Sequence, residues 1–222
     1  GDDTAVKETL LAVRDEYYRS RYAGIACAFK NTGIGVGLPD VGRCRIRIKE
    51  GKVVVYSAAS CIGQGLATVM IQIVSETLGI DGSDIIFSQP DSLLCPDSGA
   101  TTASRQTLFT GEACRRAALK LKAALAEKTP EELEGVVFEG EYSGVTDPIN
   151  SSRENPVSHV AYSYATHLAI LDAEGRIAKI VAAHDIGRAI NPLNIEGQIE
   201  GGVVMGLGSA LRERLIYEGG IL

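Results

Sequence analysis

Two stretches of this chain repeat one order of elements: alternating strand, Glu-Gly turn, returning strand, glycine-bearing segment and helix. In the first, residues 43–49 alternate Arg43, Arg45, Arg47 and Lys49 against Cys44, Ile46 and Ile48, the period of a half-buried strand. Glu50-Gly51 turns the chain and residues 53–59 return. Gly63-Gln64-Gly65 then opens a helical run over 66–78, closed by Gly79. In the second stretch, residues 162–171 form a strand, Glu174-Gly175 turns it, and residues 176–183 return. The loop Asp185-Ile186-Gly187-Arg188 leads to Asn191-Pro192, a helix start with Asn capping and Pro at the first helical position. A second Gly-Gln turn is read at Gly197-Gln198, within the run from Glu196 to Gly202. Residue identity between the stretches is low, so what repeats is architecture. A strand feeding a glycine-rich turn and a helix start lets backbone N–H groups approach an anion closely. Two such arrangements suggest one extended phosphate-bearing ligand held between two similar halves.

The remaining segments fit an α+β fold. Residues 4–21 and 104–128 read as helices, and Thr129-Pro130 with Glu131-Glu132 marks a further helix start. The first helix presents Val6, Leu10, Leu11, Val13 and Tyr17 near one face. Residues 24–30, 85–88 and 136–142 read as strands, and the polar stretch 89–101 as a long loop of the kind that often carries function. The expected organisation is two similar subdomains, residues 1–146 and 157–222, joined by a linker over 147–156, the second incomplete at its C-terminus. Each is a strand hairpin with a glycine-rich turn and a helix, with mixed sheets packed on helices. The helix after Pro192 carries Gly197, Gly201, Gly202, Gly206 and Gly208, each costing on the order of 1 kcal/mol relative to alanine. Either these small residues admit another helix or strand, or a ligand needs the space. Both readings stand on the sequence.

Composition narrows the function. A net charge of -6, with no Lys/Arg stripe interleaved with aromatics, argues against nucleic acid. It also means that an anionic ligand is held mainly by backbone amides. No apolar run reaches the roughly 20 residues of a membrane span, and no signal-peptide pattern opens the chain. Cys27, Cys44, Cys61, Cys95 and Cys114 form no C-x-x-C pair, so neither zinc nor an iron–sulfur cluster is indicated, and reduced thiols in a cytoplasmic protein are expected. His159 and His167 could share a strand face, where histidines are commonly just hydrogen-bonded. Gly33-Ile34-Gly35 lacks the third glycine and the following helix of a dinucleotide fingerprint. Both chain ends read as cuts in something longer.

Four segments, in order, carry a family likeness: Gly63-Gln64-Gly65-Leu66-Ala67-Thr68 with Gln72; Leu78-Gly79-Ile80; Thr101-Thr102-Ala103-Ser104-Arg105 with Gly111; and Asp185 through Pro192 into Glu196-Gly197-Gln198-Ile199-Glu200-Gly201. With these the chain resembles the C-terminal part of the molybdopterin-binding subunit of the molybdenum hydroxylases, the xanthine dehydrogenase and aldehyde oxidase family. The resemblance implies a molybdenum–molybdopterin cofactor, the cytosine dinucleotide form included. It implies that Gly63, Gln64, Gly65, Thr102, Ala103, Ser104 and Gln198 contact the cofactor. Ala103 lies near molybdenum through its backbone, and Ser104 binds phosphate while capping a helix. The implied reaction hydroxylates N-heterocycles or aldehydes. Iron–sulfur clusters and FAD are expected only on other domains or subunits, and the partners are those subunits, the remaining molybdenum-binding domain and a small-molecule substrate. The family's general-base glutamate lies beyond residue 222, so no catalytic residue is assigned and the isolated chain is expected to be inactive. The alternatives are a non-catalytic binding or assembly module that keeps the scaffold without metal, and a domain using the same turns for another nucleotide phosphate.

Overall fold

Alternation over residues 40–49 becomes the spine of a four-stranded sheet. We describe residues 4–221 in a computed structural model; residues 1–3 and 222, the outer ends of the segments 1–146 and 157–222, lie outside them. The elements in chain order are α1 (Val6–Arg19), β1 (Ala23–Thr32), β2 (Asp40–Lys49), β3 (Lys52–Tyr56), α2 (Leu66–Leu78), a 3-10 turn (Gly82–Asp84), β4 (Ile85–Phe87), α3 (Gln106–Leu125), β5 (Phe138–Gly144), β6 (Ala161–Leu171), β7 (Ile177–Asp185) and α4 (Pro192–Leu211). The class is α+β. Both hairpins form where the alternation places them: β2 pairs antiparallel with β3 from Arg45↔Tyr56 to Lys49↔Lys52, and β6 pairs antiparallel with β7 from Tyr164↔Asp185 to Leu171↔Ile177.

The chain divides into two compact units, residues 29–163 and residues 1–28 with 164–222. In the first, the strand order is β4-β3-β2-β5, mixed because β4 runs parallel to β3 while β2 is antiparallel to both neighbours. One face carries Cys44, Ile46, Ile48, Val53 and Val55, all buried, and α2 and α3 cover it with Val69, Met70, Val74, Phe109, Ala113, Ala117 and Leu121. Two glycines set how closely α3 lies. A Cβ at Gly42 would collide with the Phe109 carbonyl, and one at Gly140 with the Ala113 carbonyl. Backbone therefore rests on backbone at both ends of the contact. The outer edge of β5 is closed by α3 side chains: Lys120 Nζ donates to the Glu139 carbonyl (2.6 Å) and Arg116 to the Glu141 carbonyl (2.9 Å).

The second unit holds β7, residues 23–28 of β1 and residues 164–171 of β6, in the strand order β1-β6-β7, with α1 and α4. Helix α1 forms as the pattern predicts but buries a different face. Thr9 and Val13 point inward, while Leu10, Leu11 and Tyr17 stay exposed. The reason is polar: Thr9 Oγ1 hydrogen-bonds Thr166 Oγ1 at 3.0 Å on β6, beside buried Leu168.

The helix expected from residue 129 does not propagate. The reciprocal cap is present, Thr129 N donating to Glu132 Oε2 (2.8 Å) and Glu132 N to Thr129 Oγ1 (3.4 Å). Only turns follow, because Gly135 takes a φ of +76° and its N–H goes to the Ile48 carbonyl of β2. Asn191 caps α4 as expected, accepting from Asn194 N at 2.9 Å with Pro192 at the first helical position. Among the described residues, a Cβ at Gly197, Gly201, Gly202 or Gly206 would meet nothing within 4 Å, so no described element of its own unit makes the close approach those glycines allow.

Candidate functional site

Within residues 29–163 a glycine turn and a polar loop are stitched together by one threonine. Thr101 Oγ1 accepts from Ser60 N at 3.1 Å and donates back to the Ser60 carbonyl at 3.0 Å. Gln106 Nε2 also donates to Thr101 Oγ1 at 3.1 Å, and Gln106 Oε1 accepts from Thr110, which meets Ser98 Oγ at 2.6 Å. Ser98 Oγ in turn accepts from Arg43 N at 2.9 Å. This chain of satisfied, largely buried polar groups fixes residues 98–101 against β2 and α3 and ties Ser60, just before the Gly63-Gln64-Gly65 turn, to Thr101, just before residues 102–104.

The turn leaves the start of α2 without a side-chain cap. Gly63 and Gly65 have φ of +103° and +79°, conformations open to glycine, and Gly65 is the N-cap of α2 with no side chain accepting from the helix start. The exposed Cys61 thiol reports the result. Backbone N–H groups of Gly63 and Leu66, with lesser help from Gly65 and Ala67, hold its pKa below the ordinary thiol range. Convergent amides at a helix N-terminus thus favour negative charge at this point. Gln64 is less available than the sequence suggests. Its Oε1 accepts from Ile62 N at 2.6 Å and its Nε2 donates to the Ser60 carbonyl at 3.4 Å, so the amide braces its own turn.

Residues 102–104 carry the strain of the site. Ala103 and Ser104 both adopt left-handed conformations, φ +49° and +53°, which costs roughly 1–3 kcal/mol each in a non-glycine residue. The Ala103 carbonyl accepts from Gly33 N at 3.0 Å, which anchors the strained peptide. Ser104 does not cap α3 as expected. The N-cap is Arg105, with no side-chain cap bond, because the left-handed turn at Ala103 and Ser104 displaces the helix start to Gln106. Thr102 and Ser104 are exposed.

Gln198 stands apart in the other unit. Gly197-Gln198 is not a turn, because α4 starts at its capped Asn191-Pro192 and passes helically through both residues; Gln198 is exposed on that helix. The histidines pair otherwise than expected as well. His167 Nε2 lies 2.7 Å from His184 Nε2 across β6 and β7, and burial, then the neighbouring His167, lowers the His184 pKa. His159 instead meets Ser158 Oγ at 3.3 Å. Sequence reading named Thr101 only within a motif and missed Gln106 and Ser98 as supports of the site. The run of small polar residues around 98–104 was the available signal.

Among the described residues, no helix is long and apolar enough to cross a membrane. A family model described as the molybdopterin cofactor-binding domain matches residues 4–146 and 132–222. The gamma subunit of the 6-hydroxypseudooxynicotine dehydrogenase complex of Paenarthrobacter nicotinovorans is 30% identical over 89% of this chain and 29% of its own length. The xanthine dehydrogenase molybdenum-binding subunit of Escherichia coli O157:H7 is 29% identical over 89% of this chain and 31% of its own length. The chain therefore spans less than a third of the length of these curated relatives. Among solved structures, the aldehyde oxidoreductase of Desulfovibrio gigas shares the fold, with a TM-score of 0.83 at 23% identity, over 93% of this chain and 26% of that one.

Proposed function

The chain belongs to the molybdopterin cofactor-binding domain family, and from that premise we propose that residues 29–163 hold the anionic part of the cofactor at the Gly63-Gln64-Gly65 turn. The feature that carries this reading is the N-terminus of α2, opened by left-handed Gly63 and Gly65 and capped by no side chain, whose amides also lower the Cys61 pKa. The donor set fits a phosphate oxygen, since it supplies positive amide ends without a fixed side-chain charge. Thr102, Ala103 and Ser104 lie beside the cofactor, stitched to the same turn through Thr101 and Ser60. The Ala103 backbone is the neighbour of molybdenum, its methyl side chain leaving room, and exposed Ser104 offers its hydroxyl to phosphate. Gln198 contributes from α4.

Bound there, the molybdenum centre supplies the chemistry for hydroxylating an N-heterocycle or an aldehyde. This chain's own residues bind and orient the cofactor, and none is assigned a catalytic role. The cofactor is of the molybdopterin type, the cytosine dinucleotide form included. The other molybdenum-binding segment, with iron–sulfur and flavin subunits, completes a cytoplasmic oxidoreductase.

The test is co-expression with those segments, then elemental analysis for molybdenum and fluorescence of the oxidised pterin. Both are expected in stoichiometric amount. A well-folded assembly lacking both overturns the reading in favour of a binding or assembly module without metal. Gln64→Ala and Gln198→Ala should each lower occupancy while leaving folding nearly intact; loss of fold in either shows that glutamine to be structural.

A further inference from the structure

We propose that Arg105 is a positioning residue for the cofactor, its buried guanidinium acting as the template on which residues 98–104 take their shape. The inference rests on the reading of that loop as a cofactor contact. Arg105 is 1% exposed and donates to acceptors on separate segments. Its Nε reaches Asp40 Oδ1 (2.5 Å), its Nη1 the carbonyls of Ser98 (2.6 Å) and Ala100 (3.1 Å), and its Nη2 the Val41 carbonyl (2.7 Å).

These bonds close a ring. Asp40 uses its other oxygen, Oδ2, to accept from Ile34 N at 2.8 Å, which fixes the peptide beside Gly33. Gly33 N then donates to the Ala103 carbonyl, and Ala103 leads through Ser104 back to Arg105. The two left-handed residues are therefore held from both sides of one circuit. The loop also wraps the guanidinium tightly. Gly99 sits at φ +72°, where a Cβ would lie 3.0 Å from Arg105 Nη1. A buried ion pair is seldom the most stable way to fill a core. A planar fork aims its donors at several carbonyls in fixed directions, whereas an ammonium carries three donors on one rotatable centre. That suits a strained loop which must present its backbone in one geometry.

Arg105→Lys in the co-expressed assembly separates this role from simple packing, since lysine keeps the charge opposite Asp40 and loses the fork. Amides of residues 99–104 should exchange about tenfold faster, and the cofactor should dissociate about 10–100-fold faster, as for other outer supports of a metal site. Amides in β2 and α3 should keep wild-type protection. A loaded Arg105→Lys assembly with wild-type loop exchange and cofactor retention overturns the role of Arg105. So does acceleration spread evenly over the unit. Should Arg105→Lys not fold, Gly99→Ala keeps the ion pair while crowding the fork, and wild-type retention there overturns the proposal equally. Absence of pterin from the wild-type assembly overturns instead the cofactor reading on which this role depends.

Discussion

Cys61 is the side chain that most directly reports the character of the glycine turn. Amides of Gly63 and Leu66 lower its pKa, so more of it is thiolate at neutral pH than for an ordinary exposed thiol. Iodoacetamide at pH 7 should therefore alkylate Cys61 several-fold faster than the other exposed thiol, Cys27, as peptide mass mapping would show. Equal rates would mean that the amides do not converge. Single residues were also where the sequence was least legible. The glycines of the turn could be read because positive φ leaves a compositional mark. The destination of the Gln64 amide could not, since it depends on how residues 60–64 fold back. The partnership of Arg105 with Asp40 spans 65 positions and leaves no local pattern.

At the level of elements, period and turn chemistry carried much of the fold. The β2–β3 and β6–β7 hairpins, α2 with Gly79 in the left-handed C-cap, and the capped start of α4 all follow from local residues. Tertiary contacts decided the rest. A good capping box at Thr129 and Glu132 gave way to the bond between Gly135 and Ile48, and α1 turned Thr9 rather than Leu10 inward to meet Thr166. Helix α3 lies on its sheet only because Gly42 and Gly140 carry no Cβ. Gly140→Ala should cost about 1–3 kcal/mol, since both the backbone it strikes and the helix behind it are packed. Denaturant unfolding would measure this, and an unchanged midpoint would show that α3 can move away freely.

Over the whole molecule the two units differ in what they bury. Residues 29–163 enclose a sheet covered by two helices, whereas the buried apolar side chains among the described residues of the other unit are Val13 and Leu168. Leu193, Val204, Met205 and Leu211 of α4 remain exposed. Grouping residues 1–28 with 164–222 follows from β1 lying beside β6, a non-local pairing that no window of sequence encodes. The family likeness was legible because its short segments recur in order. The central claim is that the amides of the Gly63–Ala67 stretch and the 102–104 loop hold the molybdopterin anion. Hydrogen exchange of the assembled protein, with and without cofactor, tests it most directly. The account predicts slower exchange on loading at residues 63–67 and 102–104, with the β2 and α3 core unchanged. Unchanged exchange at both segments in a fully loaded protein would contradict it.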